Sequence, residues 1–200
     1  MDELIEKLIA DGMLKTERII AAFRKIDRAD FVLDEYKNEA YGDYPLPIGY
    51  GQTISQPSTV AFMLELLQPE EGNKILDVGS GSGWTTALLA RIVGSRGRVW
   101  GLELMPELVE FGRKNLGKYN FPWAEILQAG KKLGLRDVAP LDKILVSASG
   151  DEMPQELIDQ LKFGGRLVIP IQNSIWRLGK ISKTKIDKTE FPGFVFVPLK

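Results

Sequence analysis

The sequence predicts an α/β fold: a mostly parallel sheet with helices on both faces, preceded by an N-terminal helical cap. Two observations carry this expectation. Between Lys74 and Ile171, short apolar runs alternate with helical segments across short connections, as strands buried on both faces require. Residues 2–39 show only helical periodicity, and a turn-rich segment separates them from the alternating region. At 200 residues, a single domain is expected, with 1–57 as helical cap and loop and 58–200 as α/β core.

The elements follow in order. Leu4, Ile5, Leu8 and Ile9 form one apolar stripe that Gly12 ends. Thr16 suits the N-cap of a second helix that buries Ile19, Ile20, Ala22, Phe23 and Ile26. Residues 41–57 are rich in Gly, Pro and polar side chains, which predicts a loop. Val60–Leu67 returns to helix, closed by Pro69 and Gly72. Strands are expected at 74–78, 98–103, 124–128, 142–148 and 166–171. Helices are expected at 84–93, 106–119 and 154–161, with Pro106 in a first turn. The end of the chain, 175–200, reads as two antiparallel edge strands joined by a basic turn. Its basic residues Arg177, Lys180, Lys183, Lys185 and Lys188 alternate as the solvent face of a strand does.

Composition excludes several chemistries. With no cysteine, thiolate nucleophiles, disulfides and thiolate metal sites are absent, and no metal site is expected. With no histidine, a Ser-His-Asp triad and a histidine general base are excluded. A net charge of −1 calls for neither a nucleic-acid nor a membrane partner. The acidic start, MDELIEKLIADG, lacks the apolar run of a signal peptide, so the cytoplasm is expected. A monomer is expected as well.

LDVGSGSG at 76–83 follows one strand and opens the next helix, the setting of a nucleotide-binding glycine loop. Gly79, Gly81 and Gly83 let the backbone turn sharply and approach a ligand. Twenty residues later Glu103 ends the second strand, where a carboxylate can accept both hydroxyl hydrogens of a ribose. The third glycine comes one residue too early for a dinucleotide fingerprint. With Asp77 at its head, the loop resembles the first motif of class I S-adenosylmethionine-dependent methyltransferases. That resemblance implies a Rossmann-like fold and places Asp77, Gly79, Ser80, Gly81 and Gly83 at the cofactor. Trp84, at the loop's exit, has the best chance among the four tryptophans of bordering it.

PLPIGYGQTISQP at 45–57 is the most specific segment. Its prolines hold the chain extended, and Gln52, Thr53, Ser55 and Gln56 offer short polar groups from an uncharged stretch. Together with LDVGSGSG, GRVWGLELMPELVE at 97–110, MPQELIDQLKFGGRLVIPI at 153–171 and VFVPL at 195–199, it resembles the protein-L-isoaspartate (D-aspartate) O-methyltransferase family over nearly the whole chain. The resemblance implies methyl transfer from S-adenosylmethionine to the α-carboxyl of L-isoaspartyl residues in damaged proteins and peptides. S-adenosylhomocysteine is the product. Ser55 is then the active-site serine, and Thr53, the 76–83 loop, Glu103 and Gly130 contact the cofactor. Residues 1–57 carry the substrate loop, and 58–200 form the cofactor-binding core.

Two departures from the family stand out. Where it has Gly-Asp-Gly, with the aspartate accepting the adenine amino group, this chain has Ala129, Gly130 and Lys131. After the fourth strand, Ser147, Ala148, Ser149 and Gly150 lead into Asp151 and Glu152 instead of apolar residues and proline. The readings that stay open are a methyltransferase of the same fold with another acceptor and a non-catalytic cofactor-binding relative.

Overall fold

The computed structural model describes residues 1–199. Asp2–Ala10 (α1) and Glu17–Lys25 (α2) form the cap's helices, followed by two 3-10 turns at Arg28–Phe31 and Asp34–Glu39. Thr16 stands at the start of α2, but its hydroxyl does not cap that helix. It donates instead to Glu65 Oε2 at 2.6 Å, and the backbone N–H groups of Lys15 and Thr16 donate to Glu65 Oε1. A charged acceptor on Pro57–Leu67 (α3) outcompetes the local cap, because hydrogen bonds to a carboxylate are stronger than those between neutral groups.

The expected loop at 41–57 is in part a β-hairpin. Leu46–Gly49 (β1) pairs antiparallel with Gln52–Ile54 (β2), with Leu46 opposite Ile54. Tyr50 and Gly51 join them with φ of 55° and 71°, the left-handed pair that a two-residue hairpin turn demands. Leu46, Ile48 and Ile54 are buried, while Thr53 and Tyr50 are exposed.

The main sheet is built from Lys74–Val78 (β3), Arg98–Glu103 (β4), Ala124–Gln128 (β5), Leu141–Val146 (β6), Leu161–Ile171 (β7), Ser174–Lys180 (β8) and Ile186–Pro192 (β9). Its order is β5-β4-β3-β6-β7-β8-β9. The strands from β5 through β7 pair in parallel, and β8 and β9 add antiparallel at one edge, as the sequence predicts. The connecting helices are Trp84–Val93 (α4), Pro106–Leu116 (α5) and Gln155–Gln160 (α6). The chain leaves β3 toward one side of the sheet and later returns to its other side. The crevice at the C-terminal ends of β3, β4 and β6 is therefore the topological switch point, where open α/β sheets bind ligands.

Residues alternate between the faces with period two. Ile75 joins the larger core, under α1–α5, whereas Leu76 joins the smaller one, under α6 and the 129–138 connection. Asp77 shares the face of Ile75 and so points toward α4. The basic stretch at the edge departs from the expected solvated face in one place. Lys180 Nζ donates to the carbonyls of Ile158, Asp159 and Leu161, capping the end of α6. Among the described residues, no helix is long and apolar enough to cross a membrane.

Candidate cofactor and acceptor site

A cavity of about 990 Å³ opens at the switch point. The hairpin forms one wall through Ile48, Tyr50 and Thr53, and the glycine loop forms another through Gly79 and Gly81. Glu103 stands at the end of β4, Gly130 and Lys131 follow β5, and Ser147 follows β6. A small neighbouring recess of about 30 Å³ is lined by Ser55, Ser80 and Trp84, and it shares Thr53, Gly79, Gly81 and Ser147 with the cavity.

The glycine loop is held from below. The N–H groups of Gly79 and Ser80 both donate to the Leu102 carbonyl, and Gly81 N–H donates to Glu103 Oε2 at 2.9 Å. Glu103 Oε1 accepts from the N–H groups of Leu104 and Met105. Glu103 is 7% exposed, and these three donors occupy three of the roughly four acceptor positions of a carboxylate. Oε2 keeps one position free for a ribose hydroxyl, and acceptance of a second requires one backbone donor to yield.

Gly79, Gly81 and Gly83 have φ of 76°, 51° and 89°, so each serves the tight turn. Gly83 plays a different part from the other two. A Cβ there would meet Ile126 Cδ1 at 2.9 Å and the Gly112 carbonyl at 3.1 Å, so this glycine admits close packing of α5 rather than a ligand.

Asp77 lies behind the loop. It is fully buried, and its Oδ2 accepts from the hydroxyls of Thr85 (2.7 Å) and Thr86 (2.6 Å) at the start of α4. Its Oδ1 has no partner among the described residues. Burial pushes its carboxyl up to about 6, and the nearby Glu103 charge acts in the same direction against the two threonines. Asp77 thus organises the turn into α4 and does not line the cavity.

The expected residues are therefore gathered in three groups. Thr53, Gly79, Gly81, Glu103 and Gly130 line the cavity. Ser55 and Ser80 line the recess beside it, and Asp77 and Gly83 support the loop from behind. Trp84 is buried and borders the recess, with its indole N–H unpartnered there among the described residues. Gly130 faces open space at its Cβ position, so among the described residues nothing fills the place where the resemblance implies an aspartate. Asp151 and Glu152 line the cavity on the side of β6, as their position after the fourth strand implies.

Three supporting residues escape sequence reasoning. Asn115 Nδ2 donates to the Ser82 carbonyl at 3.1 Å and ties α5 to the loop. Its signal was a polar residue within the apolar stripe of Leu108, Gly112 and Leu116. Gln160 accepts from Leu135 N–H and donates to the Leu133 carbonyl, pinning the connection that walls the Gly130 side. Arg28 is wholly buried beside the hairpin, and no pattern in the sequence marks it.

The donor set fits S-adenosylmethionine. A buried carboxylate stands at the end of β4, two glycines permit close backbone approach, and the cavity is large enough for a nucleoside with an amino-acid tail.

Comparison with known proteins agrees. The family model described as protein-L-isoaspartate(D-aspartate) O-methyltransferase (PCMT) matches residues 1–200. A protein-L-isoaspartate O-methyltransferase of Methanopyrus kandleri is 40% identical over 99% of this chain and 90% of its own. Protein-L-isoaspartate O-methyltransferase 2 of Archaeoglobus fulgidus is 43% identical over 100% of this chain and 92% of its own. A crystal structure of a Plasmodium falciparum beta-aspartate methyltransferase with S-adenosyl-L-homocysteine superposes with a TM-score of 0.88. It is 27% identical, with 99% of this chain and 97% of that one covered. With a whole-chain family match and relatives at this identity, the chain belongs to the protein-L-isoaspartate (D-aspartate) O-methyltransferase family.

Proposed function

We infer that this protein is an S-adenosylmethionine-dependent carboxyl methyltransferase that esterifies the α-carboxyl of L-isoaspartyl residues in damaged proteins and peptides. One observation carries the reading. The hairpin with Thr53, and Ser55 directly after it, lies against the glycine loop and Glu103 around the cavity and its adjoining recess, so acceptor and donor groups meet at one place.

When bound, S-adenosylmethionine supplies a methyl group on a positively charged sulfur. Glu103 holds its ribose, Gly79 and Gly81 admit its tail, and Gly130 borders its base. A carboxylate with a pKa of about 4 is ionised at neutral pH and needs no base, which accords with a chain lacking histidine. The protein's work is then to orient the acceptor and exclude water. Ser55 donates a hydrogen bond that aims the attacking oxygen. Residues 1–57 serve the acceptor side, and 58–200 the cofactor side. The enzyme acts as a monomer in the cytoplasm, on proteins and peptides and not on nucleic acid.

The test pairs an isoaspartyl peptide with its normal aspartyl counterpart, using labelled S-adenosylmethionine. Label is expected in the isoaspartyl peptide alone. Equal labelling of both, or labelling of neither while S-adenosylhomocysteine binds, would overturn the assignment.

A further inference from the structure

We propose that Arg28 is a positioning residue for methyl transfer, setting where Ser55 and the hairpin stand relative to the cofactor loop. The inference rests on the acceptor reading above. Arg28 is 0% exposed, and no carboxylate among the described residues comes within ion-pair distance of it. Its partners are backbone carbonyls. Nη1 donates to Ala40 at 2.8 Å and Gly42 at 3.2 Å, and Nη2 donates to Tyr44 at 3.0 Å and Ser55 at 3.1 Å.

The guanidinium also lies 5.5 Å from the centre of the Trp84 ring. Trp84 is the first residue of α4, directly after Gly83. One planar group therefore bridges the approach to the hairpin, the carbonyl of Ser55 and the exit of the glycine loop. Burying a cation without a paired anion is costly, and an apolar side chain would fill the same space more cheaply. What the guanidinium adds is geometry: a rigid fork of donors and a flat face that a lysine cannot reproduce. The group stays charged at neutral pH, since burial lowers its pKa only to about 10.

The experiment is a double-mutant cycle of Arg28→Lys and Ser55→Ala in the full chain. Three quantities are read: single-turnover rate at saturating cofactor and peptide, S-adenosylhomocysteine affinity by calorimetry, and amide hydrogen exchange over 44–56 and 74–83. Arg28→Lys is expected to slow the saturated rate by about 10²-fold, as misplacement of a positioned group does. Affinity should hold, and exchange should quicken over 44–56 only. With Ser55→Ala already present, the same change should alter the rate by no more than about twofold, because the two residues act as one unit.

An equal rate loss in both backgrounds, or affinity lost in step with rate, overturns the proposal. Should Arg28→Lys fail to fold, Trp84→Leu, which removes the ring face, tests the link from the other side. The expectation is the same fall in rate with affinity retained, and an unchanged rate overturns the link. If the wild-type protein leaves isoaspartyl peptide unmethylated, the acceptor reading alone fails. Exchange then decides: faster exchange over 44–56 with cofactor binding intact upholds the positioning link, and unchanged exchange overturns it.

Discussion

Three residues show how differently single positions bear on this site. Ser55 sits in the recess beside the cavity, close to Gly79 and Gly81 but outside the main cavity wall. On the proposed function its hydroxyl aims the acceptor, so Ser55→Ala is expected to lower the single-turnover rate by about 10²–10³. S-adenosylhomocysteine affinity should stay near wild type by calorimetry, and an affinity collapse with the rate preserved would reassign Ser55 to the cofactor.

Gly130 has the reverse character, since its Cβ position faces open space. Gly130→Asp restores the acceptor that the family resemblance implies for the adenine amino group. A hydrogen bond to a charged group contributes about 1.5–3 kcal/mol, so affinity is expected to rise about tenfold or more. An unchanged dissociation constant would place the base elsewhere.

Asp77 governs a pH effect. Its carboxyl titrates at about 6 in the fold against the usual 3.8, so between these values the folded state holds more protons than the unfolded one. Its contribution to stability is fully present below pH 4 and is lost as pH rises through about 6. Asp77→Asn removes this loss. Melting curves from pH 4 to 7 should therefore show the variant gaining on wild type as pH rises, and parallel curves would count against the shift.

At the scale of elements, the glycine loop depends on a helix that never touches the cavity. α5 reaches the loop through Gly112 and Asn115. A Cβ at Gly112 would meet the Gly81 carbonyl and Ile126 Cδ1, both at 2.9 Å, so contact is already as close as backbone allows. Gly112→Val is expected to push α5 outward. It should cost about 1–3 kcal/mol in stability, as overpacking does, together with cofactor affinity. Chemical denaturation and calorimetry on the same samples check both. A loss of stability with affinity intact would show that the loop holds its shape without α5.

For the whole molecule, the cavity draws on the hairpin, the sheet and the 193–199 segment at once. Leu199 N–H donates to the Ser149 carbonyl, which brings the end of the described chain back to β6 and over the cavity. A ligand that bridges such separate parts stabilises only the folded state. S-adenosylhomocysteine at a hundred times its dissociation constant adds about 2.7 kcal/mol. For a chain of this length that raises Tm by roughly 5–10 °C. Thermal denaturation with and without ligand tests this, and adenosine alone should give a smaller shift.

The order of elements, the parallel core and its antiparallel edge were legible in the sequence because they follow from local rules. Apolar period separates strand from helix, and short connections force neighbouring elements to pack. The glycine loop and Glu103 were legible too, since a tight turn and a carboxylate twenty residues on form a pattern along the chain. What tertiary structure alone decided lies between distant segments. It turned the loop at 45–57 into a hairpin, drew the Thr16 hydroxyl to Glu65, and set Lys180 over the end of α6. It turned Asp77 away from the cavity and gave Arg28 the carbonyl of Ser55 and the face of Trp84. In each case the partner is chosen by proximity in the folded chain, which spacing along the sequence does not encode, and for the buried Asp77 and Arg28 burial makes finding a partner obligatory.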